Sequence, residues 1–271
     1  MKIILLLLVS LYSIAAIPQK QLITSGKIPY WEIDATPGTK KPIAIYLHGY
    51  RGFYNGKWTL PISLDQIKNQ GPMALNADGS LKYPDPPFVI VCPLLSSGTY
   101  TNEWIDTVIA YCLQTYPVSD IYLFGWSYGG GAVWEYISQS NPTYIIKGAV
   151  PIAGGYNDTS KASNVKCKVW AFHGNADDVV PMSKTQLMYD ALTCEKRLTI
   201  FEANHNISPW PFNTTGFWEG KPYTEERMVN LYSWLYNPIP SNANSQIKRL
   251  YVNGVEIGAW PFSDSLKIEV K

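Results

Sequence analysis

The chain has 271 residues, which is enough for one domain with a large hydrophobic core. Its formal net charge is +1, so no strong field attracts nucleic acid or an anionic membrane. Lys and Arg are scattered and form no run typical of a binding arm. Aromatic residues make up 14% of the chain; they are explained either by core packing or by an exposed surface suited to sugar rings and phenolic groups.

The first residues have the pattern of a secretory signal peptide. Lys2 gives a positive start, residues 3–9 are apolar, and small residues end with Ala15. The segment is too short to span a bilayer comfortably. We therefore expect a mature protein that begins near Ala16, is secreted or periplasmic, and has no stable membrane insertion.

Apolar strand-like runs alternate with amphipathic segments, which is typical of βαβ units and a mainly parallel sheet flanked by helices. The predicted buried strands are residues 43–47, 88–91, 121–124, 148–152, 169–172 and 198–201. A shorter alternating strand over residues 31–34 is expected at a sheet edge. Asn102 is expected to cap a helix that runs to about Tyr116, and a second helix is expected to follow Ser127 and to end before Asn141. A third is predicted to begin at Ser183 with a capping box, and the last to run from Thr224 to Tyr236.

The composition changes after Asn237. Residues 238–245 are rich in Pro, Ser and Asn, as linkers are. Asn253 and Gly254 then stand between two alternating apolar runs, which indicates a β-hairpin. We therefore divide the chain into a signal peptide (residues 1–15), a main domain (16–237) and a linker with a hairpin tail (238–271).

The chain has four cysteines, and none of their spacings is typical of a zinc site. In an exported protein two disulfides are allowed, and sequence alone leaves three pairings open. Cys167 and Cys194 each precede a predicted strand and are the favoured pair. Cys112 lies on the apolar stripe of a predicted helix, where a buried, inert thiol is equally expected.

The strongest functional signal lies between a predicted strand and a predicted helix. Gly125, Ser127 and Gly129 form a Gly-x-Ser-x-Gly motif there, the context in which this motif indicates a nucleophile elbow. The turn presents Ser127 at the N-terminus of the next helix, where backbone N–H groups favour developing negative charge. The sequence therefore predicts Ser127 as a nucleophile.

A serine hydroxyl needs a base, and the chain offers three histidines. Enzymes with this elbow have the order serine, acid, histidine, and His205, after the last predicted strand, fits that order. His173 stands before the candidate acids, and His48 is expected to order its own loop. Asp177 and Asp178 both follow the strand 169–172, and either carboxylate can hold the imidazole of His205.

Ester hydrolysis at such an elbow also needs two backbone N–H donors for the oxyanion. Tyr128, directly after the nucleophile, supplies one. Tyr50 is the first candidate for the other, and Arg51 is the second. Trp126 and Trp210 are candidates for lining the substrate site, with core packing as the alternative for each.

Several sequence blocks resemble known proteins. They begin at Leu47, Gly125, Val150, Val169 and Asp177. Together they resemble carboxylesterases related to dienelactone hydrolases, acyl-protein thioesterases and phospholipase/carboxylesterases. The likeness covers roughly residues 31–236 and includes secreted bacterial proteins similar to feruloyl and acetylxylan esterases and polyhydroxybutyrate depolymerases. It implies the α/β-hydrolase fold, here with a short C-terminal β-hairpin added.

The resemblance also implies site roles. In the related thioesterases the acid stands four residues after a histidine, which corresponds to Asp177, and the oxyanion donors correspond to Tyr50 and Tyr128. The implied activity is cofactor-free and metal-free hydrolysis of a small-molecule or polysaccharide ester. Alternatives are a lipid or polyester esterase, a peptidase, or a catalytically silent binding protein. The chain departs from this resemblance at two positions. Tyr50 stands where many secreted relatives have Glu, and Ser127 stands where dienelactone hydrolases have Cys.

Overall fold

The computed structural model describes residues 19–21, 28–33, 37–74, 86–156, 158–212, 231–236, 248–252 and 255–260. The expected signal peptide and linker lie outside the described residues. The chain divides into two compact units, one up to Leu235 and one from Tyr236 onward. No helix in the described segments combines the length and the apolar character that a membrane crossing requires.

Strands dominate the first unit. In chain order they are β1 (Gln19–Gln21), β2 (Pro29–Ile33), β3 (Lys41–Leu47), β4 (Gly52–Tyr54), β5 (Lys57–Thr59), β6 (Val89–Pro93), β7 (Val118–Trp126), β8 (Gly148–Ile152), β9 (Lys168–Gly174) and β10 (Lys196–Phe201). One sheet has the order β1-β2-β6-β3-β7-β8-β9-β10. The six neighbouring strands β6, β3, β7, β8, β9 and β10 are parallel to one another. At the β6 side, β2 pairs antiparallel with β6, and β1 pairs antiparallel with β2. A separate hairpin is formed by β4 and β5.

The parallel strands are buried along nearly their whole length, as expected where helices cover both faces of a sheet. Their apolar runs therefore predicted them well. The edge position expected for residues 31–34 was wrong, because β1 pairs along the outer side of β2.

The helices that accompany the sheet are α1 (Asn102–Thr115), α2 (Tyr128–Ile137), α3 (Met182–Ala191) and α4 (Leu231–Leu235). Asn102 is the first residue of α1, not its cap, since the side chain of Thr101 accepts the N–H of Trp104 at 3.2 Å. No capping box forms at Ser183, because α3 begins one residue earlier, after Pro181. The predicted start of the last helix at Thr224 lies outside the described residues.

The second unit contains β11 (Lys248–Val252) and β12 (Val255–Trp260), which pair antiparallel with Val252 opposite Val255. The predicted C-terminal hairpin is therefore confirmed. The predicted fold class is confirmed as well, since a mainly parallel central sheet is flanked by helices.

The four cysteines are free thiols. Cys167 lies one residue before β9 and Cys194 lies two residues before β10, and these neighbouring strands pair Val169 with Lys196. The N–H of Val169 donates to the carbonyl of Glu195 at 3.0 Å. Burial and the neighbouring Cys194 raise the pKa of the Cys167 thiol, which indicates that the two thiols lie near each other.

We expect glutathione disulfide to oxidise Cys167 and Cys194 to a disulfide in the full chain. Neighbouring strands lie about 4.8 Å apart, within the Cα separation that disulfides allow. Peptide mapping by mass spectrometry without reduction should find this linkage, and Cys167→Ser should abolish it. Persistent alkylation of both thiols after exhaustive oxidation would contradict the expectation.

Candidate active site

Three side chains meet at the carboxyl edge of the sheet. Ser127 follows β7, Asp177 follows β9 and His205 follows β10. The Nε2 atom of His205 lies 2.8 Å from Oγ of Ser127, and its Nδ1 atom lies 2.7 Å from Oδ2 of Asp177. Both distances are those of hydrogen bonds. The structure thus brings together the three residues that the sequence singled out as nucleophile, acid and base.

The backbone of Ser127 is strained. Its φ is 56° and its ψ is −116°, a left-handed conformation that is uncommon for any residue except glycine. The N–H of Ser127 donates to the carbonyl of Ile152 at 2.8 Å, and the N–H of Gly131 donates to the carbonyl of Ser127 at 2.9 Å. These bonds hold the sharp turn, so the hydroxyl stands at the N-terminus of α2.

The two motif glycines are required by packing. A Cβ atom on Gly129 would lie 2.0 Å from the carbonyl oxygen of Leu47, and one on Gly125 would lie 2.4 Å from the carbonyl oxygen of Gly129. Neither position has room for a side chain. Because Gly125 and Gly129 have no side chains, the first turn of α2 can lie directly against the end of β3.

The carboxylate of Asp177 is completely buried and well bonded. Its side chain is 0% exposed, and Oδ1 accepts the N–H groups of Val179 and Val180 at 2.9 and 2.8 Å. Burial raises the pKa of Asp177, but hydrogen bonds from His173, His205 and Val180 outweigh it and hold that pKa well below its usual range. The carboxylate therefore stays ionised beside His205.

The neighbouring acid takes no part in this arrangement. Asp178 is exposed, and it makes no hydrogen bond or ion pair within the described part of the chain. The local turn therefore places Asp177, and not Asp178, against the imidazole of His205.

The backbone after β3 lies close to the nucleophile. A Cβ atom on Gly49 would lie 3.1 Å from Cβ of Ser127. The N–H of Tyr50 makes no hydrogen bond with the described residues. Tyr128 is the first residue of α2, and the N–H groups at the start of a helix have no partner within the helix. The N–H of Arg51 instead donates to the carbonyl of Thr59 at 2.8 Å. Of the two candidates in this loop, the geometry leaves Tyr50 available as the second donor.

His48 holds this loop in place. Its Nε2 atom accepts the N–H of Leu95 at 2.9 Å, and its Nδ1 atom donates to the carbonyl of Gly49 at 2.8 Å. Burial lowers the pKa of His48 to about 4, so it is neutral at pH 7. The N–H of Gly49 also donates to the side chain of Gln70 at 3.0 Å, which fixes the loop from its other side.

A cavity of about 700 Å³ opens at Ser127. Aromatic side chains line much of it: Tyr50, Trp58, Tyr100, Tyr128 and Tyr156. The side chains of Trp58, Tyr100 and Tyr156 could not be predicted as lining residues, because the sequence pattern does not distinguish them from the other aromatic residues among 19 Tyr and 10 Trp. No group of three or more potential metal ligands occurs among the residues that the structure describes.

The two tryptophans named as substrate contacts lie elsewhere. Trp126 packs against His205 with ring centroids 5.2 Å apart, and its Nε1 atom donates to the carbonyl of His205 at 3.1 Å. Trp210 packs edge-on against Phe201 at 5.1 Å. Neither belongs to the lining of the cavity. Trp126 therefore supports the imidazole from the protein side.

Comparisons with known proteins bear on the fold of the chain. A family model described as alpha/beta hydrolase of unknown function (DUF915) matches residues 94–204. A thermostable esterase has a TM-score of 0.51 at 19% identity, over 82% of this chain and 59% of that esterase. A protein from Klebsiella pneumoniae subsp. pneumoniae assigned as a dienelactone hydrolase has a TM-score of 0.50 at 16% identity, over 70% of this chain and 87% of its own.

Est1E from Butyrivibrio proteoclasticus has a TM-score of 0.49 at 15% identity, over 69% of this chain and 90% of its own. A search of curated proteins found no match. The chain spans about three fifths of the thermostable esterase. The family model and the first two structures establish that this chain has the α/β-hydrolase fold, as the sequence resemblance predicted.

We expect Asp177 to make the stability of the protein depend on acid. Because its pKa is depressed in the folded state, its stabilising contribution is present above the unfolded value of about 4 and is lost as the pH falls below that value. Urea unfolding between about pH 3 and pH 7 should show a shallower loss for Asp177→Asn than for the wild type. The exposed neighbour provides the control, since Asp178→Asn should keep the wild-type slope. Equal slopes for all three proteins would refute this reading.

Proposed function

We propose that this protein is a serine esterase that hydrolyses carboxylic ester bonds through an acyl-enzyme. The observation that carries the proposal is the continuous hydrogen-bonded path from the hydroxyl of Ser127 through His205 to Asp177. An ionised, buried acid at its end keeps the imidazole in the tautomer that accepts a proton at Nε2.

The steps follow from the positions of these groups. His205 removes the proton of Ser127 as Oγ attacks the ester carbonyl, and the N–H groups of Tyr50 and Tyr128 stabilise the oxyanion. The intermediate collapses when the C–O bond to the alcohol breaks and His205 returns the proton to that alcohol. His205 then deprotonates a water molecule, which attacks the acyl-enzyme and releases the acid and the free serine.

The proposed substrates are acyl or feruloyl esters of plant polysaccharides. Support comes from the aromatic lining of the cavity, which continues onto the β4–β5 hairpin. Trp58 lies 5.9 Å from Tyr50 and 5.2 Å from Phe53, between ring centroids. Trp58 is 47% exposed and Phe53 is 58% exposed. Such rings stack well on flat sugar or phenolic faces, and the export suggested by the N-terminal pattern would give access to polymers.

A lipid or polyester esterase is the second candidate. It is favoured by the exposed apolar side chain of Ile62, 71% exposed, three residues after the hairpin. A peptidase and a catalytically silent binding protein have less support, because no described feature favours a peptide and the contacts of Ser127 are those of an activated hydroxyl.

Replacing Ser127 tests the nucleophile. We expect Ser127→Ala to lose nearly all turnover of nitrophenyl esters, and to lose labelling by a fluorophosphonate probe, because no other hydroxyl is paired with His205 in the described structure. Ser63→Ala is the control, since Ser63 is exposed and makes no capping bond. Circular dichroism should show unchanged folding in both. A Ser127→Ala rate within tenfold of wild type would defeat the assignment.

The exposed rings should matter for large substrates. We expect Phe53→Ser to lower the ratio of kcat/KM for acetylated xylan to kcat/KM for nitrophenyl acetate roughly fivefold, since a ring contact contributes about 1 kcal/mol. Ile145→Ser, at an equally exposed apolar position far along the chain (76% exposed), should leave the ratio unchanged. A panel with nitrophenyl esters of graded length, methyl ferulate and a peptide completes the measurement. A shift confined to long-chain esters would support the lipid alternative instead.

A further inference from the structure

A second imidazole contacts the acid of the candidate triad. His173 lies near the carboxyl end of β9, four positions before Asp177, and its side chain is 0% exposed. Its Nε2 atom lies 3.1 Å from Oδ2 of Asp177. The same oxygen accepts the Nδ1 proton of His205 at 2.7 Å. One carboxylate oxygen therefore lies between two imidazole rings.

The direction of the His173 hydrogen bond follows from its partners. Besides the carboxylate, Nε2 lies 2.8 Å from the carbonyl oxygen of Val180. A carbonyl and a carboxylate can only accept, so the proton must be on Nε2 and His173 must donate. The single Nε2 proton makes a hydrogen bond to the carbonyl oxygen of Val180 and a longer contact, at 3.1 Å, with Oδ2 of Asp177.

The other ring nitrogen anchors His173 to a helix. Its Nδ1 atom lies 2.8 Å from Oγ1 of Thr185, a fully buried residue of α3, and that hydroxyl lies 3.1 Å from the carbonyl oxygen of Gly154. The ring is therefore fixed by groups from three parts of the fold. A ring held this way cannot turn without breaking buried hydrogen bonds, each of which is costly to leave unmade.

The contacts of Asp177 show why this ring matters. Oδ1 is held by the N–H groups of Val179 and Val180, and Oδ2 by the two imidazoles. The titratable groups that contact the carboxylate in the described structure are these two histidines. Without His173 the carboxylate would lose one donor from the oxygen that faces His205, and its negative charge would act more strongly on that single remaining partner.

We propose that His173 is a positioning residue for ester hydrolysis, which holds Oδ2 of Asp177 in line with His205 and moderates the charge that His205 experiences. The inference rests on the proposed esterase function. It assigns a role to His173, which takes no part in the proton path from Ser127.

Two substitutions of His173 separate positioning from packing. His173→Leu removes the donor, whereas His173→Gln places a side-chain N–H near the former Nε2 position. We expect His173→Leu to lower kcat/KM for nitrophenyl acetate roughly 10- to 100-fold, the range typical when a partner that orients an active group is lost. His173→Gln should recover most of this loss.

The pH profile distinguishes the role further. With one donor fewer, the carboxylate stabilises a proton on His205 more strongly, so the acid limb of kcat/KM should move to higher pH in His173→Leu and return in His173→Gln. Thr199→Val is the control, since it removes a buried hydroxyl bonded to Trp170 in the neighbouring strand without touching Asp177. It should lower stability and leave the limb in place.

The outcomes are separable from those of the proposed function. If wild-type protein hydrolyses no ester and Ser127 takes no fluorophosphonate, the esterase proposal fails first. The positioning role is overturned by either of two results with active wild-type protein. In the first, His173→Gln loses as much activity as His173→Leu. In the second, the acid limb of kcat/KM stays at its wild-type pH in both variants. If His173→Leu does not fold, His173→Gln decides alone: a kcat/KM near the wild-type value with an unmoved acid limb supports the positioning role, and a loss of roughly 10-fold or more in folded protein overturns it.

Discussion

The contact between the first turn of α2 and the end of β3 is the constraint on which the geometry of the candidate active site depends. Backbone touches backbone there, because a Cβ atom on Gly129 would lie 2.0 Å from the carbonyl oxygen of Leu47. Gly130 is packed similarly, since a Cβ atom on Gly130 would lie 2.9 Å from the Cα atom of Gly154. Contacts between main chains cannot adjust through rotamer changes, so Ser127 is forced into its strained turn. The candidate nucleophile and both candidate oxyanion donors are thus positioned by backbone contacts.

The acid is positioned by a different principle. A buried carboxylate is costly unless hydrogen bonds compensate for lost water. Asp177 accepts three N–H hydrogen bonds, from Val179, Val180 and His205, and the N–H of His173 makes a further, longer contact of 3.1 Å. The donors belong to β9, to the turn that follows it and to the loop after β10. The same bonds that compensate the charge therefore join the ends of two strands and determine where His205 points.

The sequence predicted those features that local rules control. Glycine spacing at the elbow and the apolar runs of the parallel strands reflect backbone packing and two-sided burial, which any residue pattern must satisfy. It failed where neighbouring signals compete: Thr101 and Asn102 are both good capping residues, and Pro181 opens α3 ahead of Ser183. The outer strand β1, Gln-Lys-Gln, has no strand pattern. The role of His173 and the aromatic lining depend on tertiary contacts, which no local rule predicts.

The β4–β5 hairpin begins at Gly52, so only Arg51 separates it from the candidate oxyanion residue Tyr50. Its turn at Asn55 and Gly56 has positive φ angles of 49° and 76°, as tight two-residue turns require, and its base is closed by the bond between Arg51 and Thr59. In the described structure it pairs with no strand of the central sheet. The hairpin can therefore change in length or sequence without disturbing the strands that carry Ser127, Asp177 and His205.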